Sequence, residues 1–166
     1  SLSDDTVRLH DTMRDLLITE LGTMLPRVHD QFLQAYHMPD WHEMGDDEPY
    51  LWDWLAYHLT EAGRVDELGA LVSDFRWLQR RLDVSGITAV LADFDYLPTE
   101  DPRLKIRNWL RQAAHILAQH PGQLAAQILA RLPRDDQEIF SNLIGAAKRW
   151  TNSVWLRPMR PSLRGP

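Results

Sequence analysis

Residues 50–97 read YLWDWLAYHLTEAGRVDELGALVSDFRWLQRRLDVSGITAVLADFDYL, and their apolar spacing decides the fold. Leu51, Trp54, Leu55, His58, Leu59 and Ala62 recur at the 3.6-residue period of one helix face. Gly63 follows where a helix end needs a residue that can adopt positive φ. Val65, Leu68, Leu71, Val72 and Phe75 form a second stripe, and Trp77, Leu78 and Leu82 a third, which Ser85-Gly86 interrupts. Ile87, Val90, Leu91 and Phe94 form a fourth, closed by Pro98. The stretch predicts four short amphipathic helices with almost no residues between them. It carries no recognisable chemical motif and reads as scaffold.

Outward from this array the same grammar continues. Upstream, Leu9, Met13, Leu16, Leu17 and Leu21 give a helical stripe, with Asp4 and Asp5 placed to favour its N-terminus. A second helix is expected from Leu25 or Pro26, since proline is tolerated in a first turn, with Val28, Phe32, Leu33 and Tyr36 inward. Residues 39–49, PDWHEMGDDEP, read as an acidic loop pinned by Trp41. Downstream, PTEDP at 98–102 breaks the pattern. A longer helix over 103–119 then turns Ile106, Trp109, Leu110, Ala113 and Leu117 inward. His120-Pro121-Gly122 is a turn, and Leu124, Ile128, Leu129 and Leu132 mark a short helix ended by Pro133. Asp135 and Glu138 have capping-box spacing ahead of a last helix with Ile139, Leu143, Ile144, Ala147 and Trp150 on its face. Residues 151–166 are rich in proline and arginine and read as a linker.

No segment alternates with period two, so the fold class is all-α: about nine short helices stacked as antiparallel hairpins, a helical-repeat-like arm. The candidate core is Trp54, Leu55, His58, Leu59, Leu68, Leu71, Trp77, Leu78, Leu82, Leu91, Phe94, Trp109 and Trp150.

Composition narrows the function. The chain has 166 residues, 44% of them hydrophobic, enough to bury a core. A net charge of −6 argues against a general nucleic-acid binder. The absence of cysteine excludes disulfides, thiolate metal sites and a cysteine nucleophile. No apolar run reaches membrane-spanning length and no signal peptide is apparent, so a cytoplasmic location is expected. His37, His42 and the acids of 39–49 lie close in sequence, but no paired metal-ligating histidines occur at helical spacing, and no metal is expected. His58 is expected to be a buried neutral histidine with one hydrogen-bonded nitrogen. Asp93 and Asp95, two residues apart, point to different sides and make no acid/base pair. Nucleophile-elbow, phosphate-loop and dinucleotide motifs are absent from these residues. Leu9-His10-Asp11 could present an imidazole to an anion at a helix start, or could be an ordinary first turn.

Here the pieces align with a family. The 50–97 run, through Tyr50, the Leu55-Ala56-Tyr57-His58-Leu59 stretch, Ala62-Gly63, Leu68, Leu71, Asp74, Trp77-Leu78 and Leu82, resembles the helical domain of apoptotic protease-activating factor and its bacterial relatives. VRLHDTMRDLL resembles the end of the winged helix with its His-Asp signature, and VWLRPMRPSL the connector before a propeller. The resemblance implies an organisation of 1–22 as the end of a winged-helix domain, 23–97 and 98–150 as two parts of a helical arm, and 151–166 as a linker towards a β-propeller. It implies a non-catalytic arm of a STAND-type (NB-ARC) ATPase, joining the nucleotide-binding module to a WD-repeat sensor. It further implies that His10, next to Asp11, contacts the phosphate of ADP in a longer parent. The fragment itself needs no cofactor, and its partners are the flanking domains and other copies of the parent, with no nucleic acid and no membrane. A stand-alone helical-repeat adaptor that binds a peptide is the rival reading, and a small enzyme using the acidic loop a more distant one.

Overall fold

A computed structural model describes residues 19–20, 22–36, 38, 40–131, 136 and 139–151. Among them are seven α-helices and no strand: α1 (Leu25–Ala35), α2 (Pro49–Glu61), α3 (Val65–Leu71), α4 (Phe75–Asp93), α5 (Leu104–Leu117), α6 (Leu124–Arg131) and α7 (Ser141–Arg149). Short 3₁₀ turns lie at Gly22–Met24, Trp41–Glu43, Phe94–Tyr96 and Pro121–Gln123. The all-α expectation holds, with seven helices in place of about nine. Two causes explain the count. The stripe from Leu9 to Leu21 lies outside the described residues, and the third and fourth predicted helices run on as one.

Local chemistry sets the boundaries. Pro49 opens α2, where its missing N–H costs nothing. The end of α2 is closed by Gly63 at φ 74°, with the Gly63 N–H donating to the Thr60 carbonyl and the Arg64 N–H to the Leu59 carbonyl. This pair of bonds is a Schellman closure, which satisfies two carbonyls the helix leaves orphaned. Asp74 caps α4 by accepting from the Arg76 backbone N–H at 2.9 Å.

The predicted break at Ser85-Gly86 survives inside α4 as a kink. Gly86 takes φ 80° and ψ 174°, a conformation open essentially to glycine alone. The two halves are tied across the bend. The Arg81 guanidinium donates from Nε and Nη2 to the Asp93 carboxylate at 3.1 and 3.2 Å, and from Nη1 to Ser85 Oγ at 2.7 Å.

The pairs α1/α2, α2/α3, α4/α5, α5/α6 and α6/α7 pack on one another, and α4 also packs on α2 and α7 and on the 41–43 and 121–123 turns. One core therefore runs through the whole array, from Leu33 to Ala147. Leu55, His58, Leu59, Leu68, Leu71, Trp77, Leu78, Leu82, Phe94 and Trp109 are buried. Leu91 and Trp150 are half-buried against that core.

Trp54 is not in it: the side chain is 45% exposed, and Trp52, 2% exposed, takes the core position. The inward arc of α2 is centred on Leu55 and Leu59 and is rotated towards Trp52 and Ala56. Trp54 lies about 200° round the helix from Trp52 and falls outside that arc. Trp52 stacks on Trp77 with ring centroids 5.2 Å apart and donates its indole N–H to the Gly45 carbonyl at 2.8 Å. Trp41 pins the acidic loop, donating to Glu67 at 2.8 Å. Val28 and Ile139, expected inward, are exposed, and His29 takes the place foreseen for Val28. The proposed Asp135–Glu138 cap lies outside the described residues.

Candidate functional site: a histidine pair at the edge of the array

The centre of the α1–α2 contact is polar. Leu33 and His29, one turn apart, are the buried residues of α1. His29 meets His58 of α2, with Nδ1 to Nδ1 at 2.7 Å. One ring must donate and the other accept. On its far side His58 Nε2 lies 3.0 Å from the Tyr50 hydroxyl, one end of the same helix bonding to the other half of it. His58 is buried, as the sequence indicated, but both of its nitrogens are bonded, not one. Aromatic rings enclose the pair. Phe32 lies over His58 at 4.5 Å, and Tyr57 stands edge-on to His29 at 5.5 Å. Burial, followed by the neighbouring His29 imidazole, lowers the His58 pKa from 6.5 to about 4. His58 is therefore neutral at neutral pH. His29 carried a signal in the sequence, since it stands one turn before Leu33 on the inner face.

Around this edge Met24, Val28, Tyr50 and Trp54 are exposed. Trp54 leans on Tyr57 with ring centroids 5.9 Å apart. At the other end of the array, an open cleft of about 820 Å³ is lined by Asp74, Phe75, Arg76, Ser141, Arg149 and Trp150 among others. A smaller hollow of about 320 Å³ lies over Thr88, Leu91, Asp95 and Arg107.

The remaining sequence candidates are placed as follows. His10 and Asp11 lie outside the described residues, as does His37. Asp93 is buried on Arg81, whereas Asp95 is exposed and accepts from Arg107 at 2.7 Å, so the two carboxylates do not meet. Burial raises the Asp93 carboxyl to about 6, opposed by the Arg81 guanidinium and the Trp77 indole. Asp40, His42 and Glu43 bring three ligand atoms within 4.8 Å of one another, a grouping that a search for paired histidines does not find. They sit on an exposed turn, and both carboxylates act on the nearby Arg76 guanidinium. They could hold a cation, but nothing buried directs them at one.

Among the described residues, His29 with His58 and Lys105 with Asp136 join separate elements, whereas Arg81 with Asp93 closes the bend of α4. A family model described as the APAF-1 helical domain matches residues 21–139. The chain belongs to the APAF-1 helical-domain family. Similar curated proteins are apoptotic protease-activating factor 1 of Rattus norvegicus, 29% identical over 52% of the chain, and that of Danio rerio, 22% identical over 85%. The NACHT and WD repeat domain-containing protein 2 of Homo sapiens is 32% identical over 47% of the chain. The chain spans 7%, 12% and 5% of those proteins' lengths. No solved structure matches. Among the described residues no helix is long and apolar enough to cross a membrane.

Proposed function

We propose that this chain is the helical arm of a STAND-type signal-transduction ATPase. In this reading the arm is non-catalytic. It joins a nucleotide-binding and winged-helix module upstream to a WD-repeat sensor downstream, and carries autoinhibition and activation between them. The family match over 21–139 is the observation that carries it. The relatives' names support the flanks: one is a protease-activating factor, and another has NACHT and WD-repeat domains. The architecture supports it as well. One core from Leu33 to Ala147 lets the array move as a body. The exposed apolar residues Met24, Val28, Tyr50 and Trp54 lie on or next to α1 and α2 and offer surface on which an upstream domain would seat.

His10, beside Asp11, would contact the β-phosphate of ADP in the longer parent, and the parent would act in the cytoplasm and oligomerise on activation. The isolated chain is expected not to retain ADP. In the full-length parent, His10→Ala should speed ADP release, because a charge-assisted phosphate contact is lost. Unchanged ADP retention in that variant would remove the His10 assignment. A parent gene without an upstream phosphate loop and a downstream propeller would remove the arm reading altogether.

A further inference from the structure

Among the described residues, the contact that α1 makes with the array has a titratable pair at its centre. Among the described residues, α1 packs substantially on α2 and on no other helix. Leu33 and His29 are the residues it buries. We infer that the His29–His58 pair is an acid-released latch, which fastens α1 to the array when its facing nitrogens share one proton and lets α1 go when each carries its own.

The geometry makes the pair intolerant of that second proton. At 2.7 Å the two Nδ1 atoms need one lone pair between them. Protonating both rings places two N–H groups nose to nose and two positive charges in one aromatic enclosure. No rearrangement within the pair relieves this, because the second face of His58 is held by the Tyr50 hydroxyl. Among the described residues, no carboxylate faces the pair to neutralise a dication. From α1, the neighbouring Asp30 is turned to Gln34 at 2.7 Å and towards Arg64 at 3.7 Å. From α2 the facing titratable groups are Tyr50 and Tyr57. Tyr36 of α1 and Tyr96 of the 94–96 turn stand behind them, Tyr36 near Phe32 and Tyr96 near Tyr57. These groups are phenols, not carboxylates. The forces on His58 are accordingly burial and the other imidazole, both favouring its neutral form.

The inference concerns this chain's own helices and holds whether or not the chain is an arm. Its consequence is local opening. The helix set free is α1, and the core around α4 stays closed.

Hydrogen exchange on the whole chain tests it. With exchange rates corrected for the intrinsic effect of pH, α1 amides should lose on the order of tenfold protection between about pH 7.5 and about pH 5, as linkage requires of a group that charges only on opening. Amides of α5 should keep theirs. His58→Phe, which keeps a ring in the aromatic enclosure but removes the group that charges only on opening, should flatten the α1 response. Imidazole ¹⁵N shifts of the unaltered chain provide a measurement that needs no variant, and His58 should stay neutral below the ordinary histidine range. Unchanged α1 protection, equal losses in α1 and α5, a full response in His58→Phe, or a His58 ring that charges in the ordinary range would each overturn the latch.

Discussion

Two buried polar pairs hold this molecule together, and they respond to acid in opposite senses. Arg81 and Asp93 bridge the bend of α4 in the middle of the core. His29 and His58 join α1 to α2 at its edge. The Asp93 carboxyl is raised to about 6, so the folded state holds a proton there more readily than the unfolded chain. Its pH-dependent contribution is fully present below the ordinary aspartate value and is lost as pH rises through about 6. His58 is lowered to about 4, so the unfolded or opened state binds the proton better. Its contribution is complete above about 6.5 and is lost as pH falls towards 4. Mild acid therefore loosens the edge while it spares the centre. Similar burial produces opposite behaviour because one group is charged by losing a proton and the other by gaining one.

The largest test of this contrast lies at the centre. Trp77 is fully buried against Trp52, and Trp77→Ala should cost about 3–5 kcal/mol in denaturant unfolding, the range for a deleted core aromatic. Arg81→Ala strands the Asp93 carboxylate without its cation, and a loss of about 3–5 kcal/mol is expected for one partner of a buried pair. That variant should also recover part of its stability as pH is lowered and Asp93 takes up its proton. A flat pH profile would mean that the pair is not what braces the bend. Gly86→Ala meets no atom within 4 Å, so its expected cost of about 1–3 kcal/mol is backbone strain alone. The smallest effect belongs to the edge. Trp54→Ala should change unfolding by less than about 0.5 kcal/mol, as for a surface position. A large loss there would place Trp54 in an interface between copies of the chain.

The helices of 50–97 and the bend in the last of them were legible because amphipathic spacing and two glycines mark them, and both Gly63 and Gly86 occupy positive φ. The inward residues of α5 were equally clear, since Ile106, Trp109, Leu110, Ala113 and Leu117 are all buried. Periodicity was less decisive where a helix is apolar on most of its circumference. In α2 both Trp52 and Trp54 fit a stripe, and the choice between them depends on where Trp77 stands. The histidine pair was half legible. His58 lay on an apolar face, but its partner is 29 residues away on another helix. Sequence spacing does not encode a contact between helices, and a lone histidine on each gives no sign of the other. The Arg81–Asp93 brace was hidden for a related reason, because twelve residues of uninterrupted helix would set the two side chains far apart. Only the turn at Gly86 brings them together.

That turn settles how the chain's two halves are oriented. A straight helix leaves its flanks free to swivel about its axis as side chains repack. A bent one, with a bidentate ion pair closing the angle, makes the direction of approach from α2 and α3 and the direction of departure towards α5 two sides of one fixed triangle. A rotation of one side against the other would have to break the Arg81–Asp93 brace.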